Sequence, residues 1–153
     1  MKNFLLKGFT LLEMLVVISI IGILTGLALL SFEPSQKRAR DTERKSDLKQ
    51  YQTVLENFAN DNNGLYPSRT TEINISDSFC TILGIGGTCP SDPKEGYDYK
   101  YISNGSGGGL NDATEYVLWS WLEISDSYWI VCSSGKVGNS TTEPTGATCP
   151  NEI

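Results

Sequence analysis

Four cysteines, Cys80, Cys89, Cys132 and Cys149, and a complete lack of histidine decide which chemistries this 153-residue chain could perform. Without an imidazole there is no Ser-His-Asp or Cys-His relay, and most metal-assisted hydrolysis is removed as well. A zinc site would need all four thiolates, yet no two of them form a C-x-x-C pair. Four cysteines in a small domain suggest two disulfides made in an oxidising compartment. Three pairings are open to four cysteines, and locality favours Cys80–Cys89 and Cys132–Cys149. Asp112, Glu115 and Asp126 flank or follow a Gly-rich stretch and form a weak calcium candidate, against the plainer reading of solvated turn carboxylates. No other cofactor is expected, and no motif marks a catalytic pair of carboxylates.

One carboxylate is out of place. From Met14 to Leu30 no residue is charged, and Ser19 and Thr25 are the only polar ones. Residues 9–32 would span roughly 36 Å as a helix, enough for a bilayer core of about 30 Å. Glu13 interrupts the start of this run. An ordinary secretory signal has an apolar core of about 7–15 residues and a small-residue cut site after it. Here the run is longer, and Gly26-Leu27-Ala28 is a weak cut site. A plain anchor leaves Glu13 unexplained, because an acidic group at the centre of a membrane segment costs about 2.5–3.5 kcal/mol. Its place near one end of the span lowers that cost.

The segment Lys7-Gly8-Phe9-Thr10-Leu11-Leu12-Glu13 resembles the leader junction of type IV prepilins and type II secretion pseudopilins. The resemblance implies cleavage after Gly8 by a membrane-embedded aspartyl prepilin peptidase and N-methylation of Phe9. Removing eight residues, two of them lysines, leaves 145 residues with a formal charge of −8. The resemblance further implies a charge pair between the new amine of Phe9 and Glu13 of a neighbouring subunit. An unpaired buried charge is costly, so such a pair favours one axial register in a filament core.

These residues need a long helix to carry them. Leu48, Tyr51, Leu55, Phe58 and Ala59 recur at helical spacing, Val54 widens the stripe, and Lys49, Gln52 and Glu56 read as the polar face. Gly22, Gly26 and Pro34 can bend or unwind the helix. Asp61-Asn62-Asn63-Gly64 ends it, with Gly64 as a C-cap. Residues 68–95 read as a loop region. Residues 97–102, 115–122 and 128–132 read as strands, separated by a Gly-rich turn over 104–111. Trp119 and Trp121 fall on one strand face, and at least one of them belongs to a core; Trp129 lies on the next strand. Ser-Asp-Pro at 91–93, followed by Tyr-x-Tyr, resembles the pseudopilin loop that leads into the sheet. The fold class expected is α+β, a long N-terminal helix with a membrane-spanning first half, packed on a small C-terminal antiparallel sheet. Its parts are a leader over 1–8, a transmembrane and assembly helix over 9–32, a soluble continuation over 33–63 and a globular head over 64–153.

Lys37, Arg38, Arg40, Arg44, Lys45 and Lys49 alternate with Asp41, Glu43 and Asp47, which reads as a solvated helix face. From Asn57 onward four basic residues face twelve acidic ones. Such an acidic head makes nucleic acid an unlikely partner. The function implied is a non-enzymatic structural subunit of a type IV pilus or a secretion pseudopilus. The alternative is a minor or tip subunit whose head binds a surface, DNA or a secreted protein. The partners implied are prepilin peptidase, copies of itself and other pilin-like subunits, an inner-membrane assembly platform, and membrane lipid before assembly. The location implied is the inner membrane, N-terminus cytoplasmic and head outside, and then a filament. Lys37, Arg38 and Arg40 oppose that orientation on the positive-inside rule; the leader and the cysteines support it.

Overall fold

Among the described residues, backbone hydrogen bonding forms one long helix, one short helix and seven strands. The computed structural model describes residues 8–75 and 77–153, so residues 1–7 of the expected leader lie outside the described residues. The chain divides into two compact units, 1–36 and 37–153. Helix α1, Leu11–Asp61, contributes to both and contains Pro34. By length and composition, no single described helix is long and apolar enough to cross a membrane. Leu11–Leu27 and Phe32–Asp61 pass that test only together.

In the second unit, α1 ends where the sequence stops supporting it. Gly64 N–H donates to Ala59 O at 2.7 Å, and Asn63 and Gly64 both take positive φ, 58° and 81°. This is a Schellman-type stop in which Asn63, rather than Gly64, holds the first left-handed position after the helix. Strand β1 (Tyr66–Pro67) follows and pairs with β4 (Asn111–Ala113). The main sheet has five strands in the order β2-β3-β5-β6-β7, every pair antiparallel. They are β2 (Ile73–Asn74), β3 (Lys100–Ser103), β5 (Tyr116–Leu122), β6 (Ser127–Cys132) and β7 (Val137–Ser140).

Two expectations move. The loop region 68–95 contains β2 and a short helix, α2 (Asp77–Ile82), which carries buried Phe79 and Cys80. The strand expected from Tyr97 starts only at Lys100, because Tyr97 N–H turns back to Lys94 O.

Both faces of the main sheet carry buried residues. Alternation puts Tyr101, Tyr116, Leu118 and Val131 on one face, in a cluster with Leu48, Tyr51, Leu55 and Ala59 of α1. The other face carries Ile102, Val117, Trp119, Ile130 and Cys132, with Cys149 and Ile153 of the C-terminal segment against them. Trp119 is thus a core residue. Trp121 shares its face but stays half-buried, and Trp129 packs on the helix side.

Candidate functional site

The residues singled out in the N-terminal segment are side by side. Thr10 is the N-cap of α1 and Glu13 the third helical residue. Glu13 N–H donates to Thr10 Oγ1 at 3.2 Å, while Thr10 N–H and Thr10 Oγ1 both donate to Glu13 Oε2 at 2.8 Å. This reciprocal arrangement is a capping box, which satisfies two backbone donors that a helix start otherwise leaves unpaired. T-x-x-E ahead of an apolar run is legible in the sequence, and it gives Glu13 a role inside its own chain beside the one implied between chains. Beyond it the helix is apolar on every side and uncovered: Leu11 is 84% exposed, Ile18 62% and Leu27 62%. Gly8 and Phe9 precede the helix and are exposed.

The four cysteines form two disulfides, Cys80–Cys89 and Cys132–Cys149, with Cα–Cα distances of 6.0 and 5.7 Å. The second ties β6 to the C-terminal segment over the outer sheet face.

Asp112, Glu115 and Asp126 are not brought together. Asp126 sits in the β5–β6 turn with φ 49°, at the opposite end of β5 from Glu115. Asp112 accepts hydrogen bonds from Ser106 N–H at 3.2 Å and from Ser106 Oγ, which hold its carboxyl below the usual range. Among the described residues no group of three His, Cys, Asp or Glu side chains could hold a metal ion.

The mixed-charge stretch of α1 is solvated on one side only: Arg38, Glu43, Lys45 and Lys49 are exposed, and the other side turns inward. Arg44 is fully buried, and Asp41 and Asp47 are buried with it. Arg44 Nε and Nη2 donate to the two oxygens of Asp92 at 2.7 and 2.8 Å, and Nη1 donates to Asp41 and Glu123, both at 2.9 Å. Arg40 makes a second two-point contact, Nε and Nη2 to Glu123 at 2.7 and 2.8 Å, and Lys94 approaches the same carboxylate at 3.3 Å. Asp41 also accepts the backbone N–H groups of Glu123 and Ile124, both at 2.9 Å. Burial works against the charge of Arg44, but the bonds to Asp92 and Glu123 outweigh it and raise its pKa. The bond from Arg40, followed by those from Arg44 and Lys94, holds the Glu123 carboxyl far below the usual carboxylate range.

The supposed polar face behaves similarly. Gln52 is buried, and Glu56 accepts the phenols of Tyr66 and Tyr116, each at 2.9 Å. Burial, then the bond to Glu56, pushes the Tyr66 phenol up to about 12. Tyr99 likewise donates to Asp47 at 2.7 Å. No described buried side-chain nitrogen or oxygen is left without a partner. The reason is geometric: the tyrosines reach α1 with donors and the Asp92 loop reaches it with an acceptor, so its inner face must offer carboxylates to the first and a guanidinium to the second rather than methyl groups.

Comparison with known proteins bears on the N-terminal part. Residues 7–29 match the family model described as the prokaryotic N-terminal methylation motif. Over 52 residues the chain is 40% identical to the type IV major pilin protein PilA of Myxococcus xanthus (strain DK1622), covering 34% of this chain and 24% of that pilin. The match therefore spans about a quarter of the relative's length. No solved structure matches the chain. The N-terminal segment thus carries a prokaryotic N-terminal methylation motif and is similar to that of a type IV major pilin.

Proposed function

We propose that this chain is a non-enzymatic filament subunit, cleaved after Gly8, N-methylated on Phe9, and polymerised through the apolar part of α1 into a type IV pilus or a secretion pseudopilus. The observation that carries the reading is the capped helix start at Thr10 and Glu13, followed by uncharged, exposed apolar helix to Leu27. A helix apolar all round needs lipid or other helices around it. Residues 9–32 sit in the inner membrane with the head outside, and then pass into a bundle of like helices. Prepilin peptidase, an assembly platform and further pilin-like subunits are the partners this requires.

In the bundle, cleavage supplies a cation at Phe9 and the chain supplies an anion at Glu13. Each neutralises the other across the subunit boundary. Oxygen Oε2 of Glu13 takes both Thr10 donors, so Oε1 is the atom for the neighbour's amine. The test is mass spectrometry of protein from membranes with an active prepilin peptidase. The expected N-terminus is N-methyl-Phe9. An N-terminus at Leu29, or an intact leader, would overturn the reading.

A further inference from the structure

The outer face of the main sheet carries an open groove of about 510 Å³, lined by residues distant in sequence from the apolar part of α1. Its floor is the cross-strand pair Trp121 and Tyr128, with ring centroids 4.9 Å apart and planes at 73°. Both rings are half-buried, so each keeps an edge or face toward solvent. The indole N–H of Trp121 has no acceptor among the described residues.

The walls are polar and already ordered. Glu143 accepts Trp119 Nε1 at 3.1 Å and the Tyr128 phenol at 3.3 Å. Lys100 bridges Glu143 and Glu72 at 3.2 and 2.8 Å, and Asn74 Nδ2 donates to Asp98 at 2.8 Å. Burial raises the Glu143 carboxyl, but the bonds from Trp119 and Lys100 outweigh this and hold it low, so it stays an acceptor. Side chains that hold one another in this way lose little freedom on binding.

We infer that this groove binds an uncharged hexose oligosaccharide, with one sugar ring packed into the corner that Trp121 and Tyr128 form and its hydroxyls on Asn74, Asp98, Lys100 and Glu143. Sugar hydroxyls both donate and accept, and the wall offers both: carboxylate acceptors, and amide, ammonium and indole donors. The C–H face of a pyranose is the apolar surface that an exposed aromatic pair accommodates. Three carboxylates against one lysine repel uronic or sulfated sugars. The same net negative charge would also admit a cationic peptide, which the experiment reads separately. The inference holds whether or not the chain polymerises.

The experiment uses the full chain in a polyoxyethylene detergent, whose headgroup carries no sugar. Saturation-transfer NMR is recorded with cellotetraose, maltotetraose and trilysine. Transfer to the ring C–H protons of one tetraose is expected. Trp121→Ala should bind that sugar about tenfold more weakly with its far-UV spectrum unchanged, in keeping with loss of one ring from that corner. Should Trp121→Ala not fold, Asp98→Ala, at an exposed rim position, replaces it and should also weaken binding. No transfer to either sugar, transfer to trilysine alone, or wild-type affinity in the folded variant would overturn the inference.

Discussion

Arg44 on α1 and Asp92 in the loop before the sheet meet through two parallel hydrogen bonds, Nε to Oδ2 at 2.7 Å and Nη2 to Oδ1 at 2.8 Å. Asp92 also accepts Lys94 N–H at 2.9 Å, so the same carboxylate shapes its own turn and fixes that turn to the helix. Such a pair adds little over an apolar replacement, but removing one member strands the other. Asp92→Ala should therefore lower head stability by about 3–5 kcal/mol. Arg44→Met should cost at least as much, since it takes both guanidinium bonds from Asp92 and one each from Asp41 and Glu123. Urea unfolding of the full chain in detergent, followed by tryptophan fluorescence, measures both.

Acid should act through Glu123. Its folded pKa lies below the unfolded value, so its contribution is complete above about pH 4.3 and is lost as pH falls toward the folded value. The melting temperature should thus be level from neutral pH down to about pH 5 and drop below about pH 4. Glu123→Gln should melt lower at pH 7 and show a shallower fall between these limits. Thermal melts by circular dichroism over the pH series give the comparison; parallel curves for the two proteins would rule out Glu123 as the group responsible.

Gly105 is where the Gly-rich turn is least tolerant. Its φ is +98°, and a methyl there would lie 2.5 Å from Asp112 Oδ1 and 2.6 Å from Ser68 Oγ. Ser68 is fully buried, accepts Gly107 N–H at 2.6 Å and donates to Asn104 O at 3.0 Å, so it has no room to retreat. Gly105→Ala should cost about 2 kcal/mol or more from strain and displacement together. Gly108→Ala, with positive φ but open space, should cost less; equal losses in the two melts would assign the effect to backbone strain alone.

What the sequence disclosed follows from what local pattern can encode. The stripe Leu48, Tyr51, Leu55 and Ala59 was legible because apolar residues at helical spacing have one ready explanation. The same stripe runs backwards through Arg44 and Asp41 at spacings of four and three, and that extension was missed. Charge type read as solvent, whereas Asp92 and Glu123, distant in sequence, neutralise Arg44 in the interior. Gln52 and Glu56 read as polar face for the same reason, although Gln52 is buried and Glu56 meets two phenols. The calcium trio looked plausible because Asp112 and Glu115 are near in sequence, but β5 separates both from Asp126. The capping box needed no tertiary information at all. Its signal is masked by the charge of Glu13, which stands out first against the apolar run.

The Cys132–Cys149 bridge closes a span with a sequence separation of 17 and holds the C-terminal segment over Trp119. Replacing both cysteines by alanine should cost about 3 kcal/mol in the chain-entropy account. It should also shift tryptophan emission to the red, because Trp119 is otherwise only 1% exposed. Emission spectra under native conditions and urea midpoints test the two parts separately. A lower midpoint without a red shift would mean that Ile153 and its neighbours stay in place unaided.

Glu13 has two roles that separate substitutions can tell apart. The cap needs a side-chain oxygen at this position, and glutamine supplies one. The pair with a neighbour's Phe9 amine needs a negative charge, which glutamine lacks. Glu13→Gln should therefore keep the helix start intact yet assemble poorly, because an amine entering an apolar bundle without its partner costs about 3–5 kcal/mol per subunit. Thr10→Ala does the reverse. It removes the cap, at about 0.5–2 kcal/mol, and leaves the carboxylate in place. Its filaments should form at reduced yield rather than vanish. Glu13→Ala combines both losses and should be the most severe, while insertion and cleavage after Gly8 proceed, since the segment becomes more apolar. The assay co-expresses each variant with the host assembly machinery, without wild-type subunits. It compares mature protein in membranes with protein in sheared filaments. If Glu13→Gln fills filaments at wild-type yield while Thr10→Ala does not, the carboxylate acts as a cap alone, and the charge pair with Phe9 is wrong.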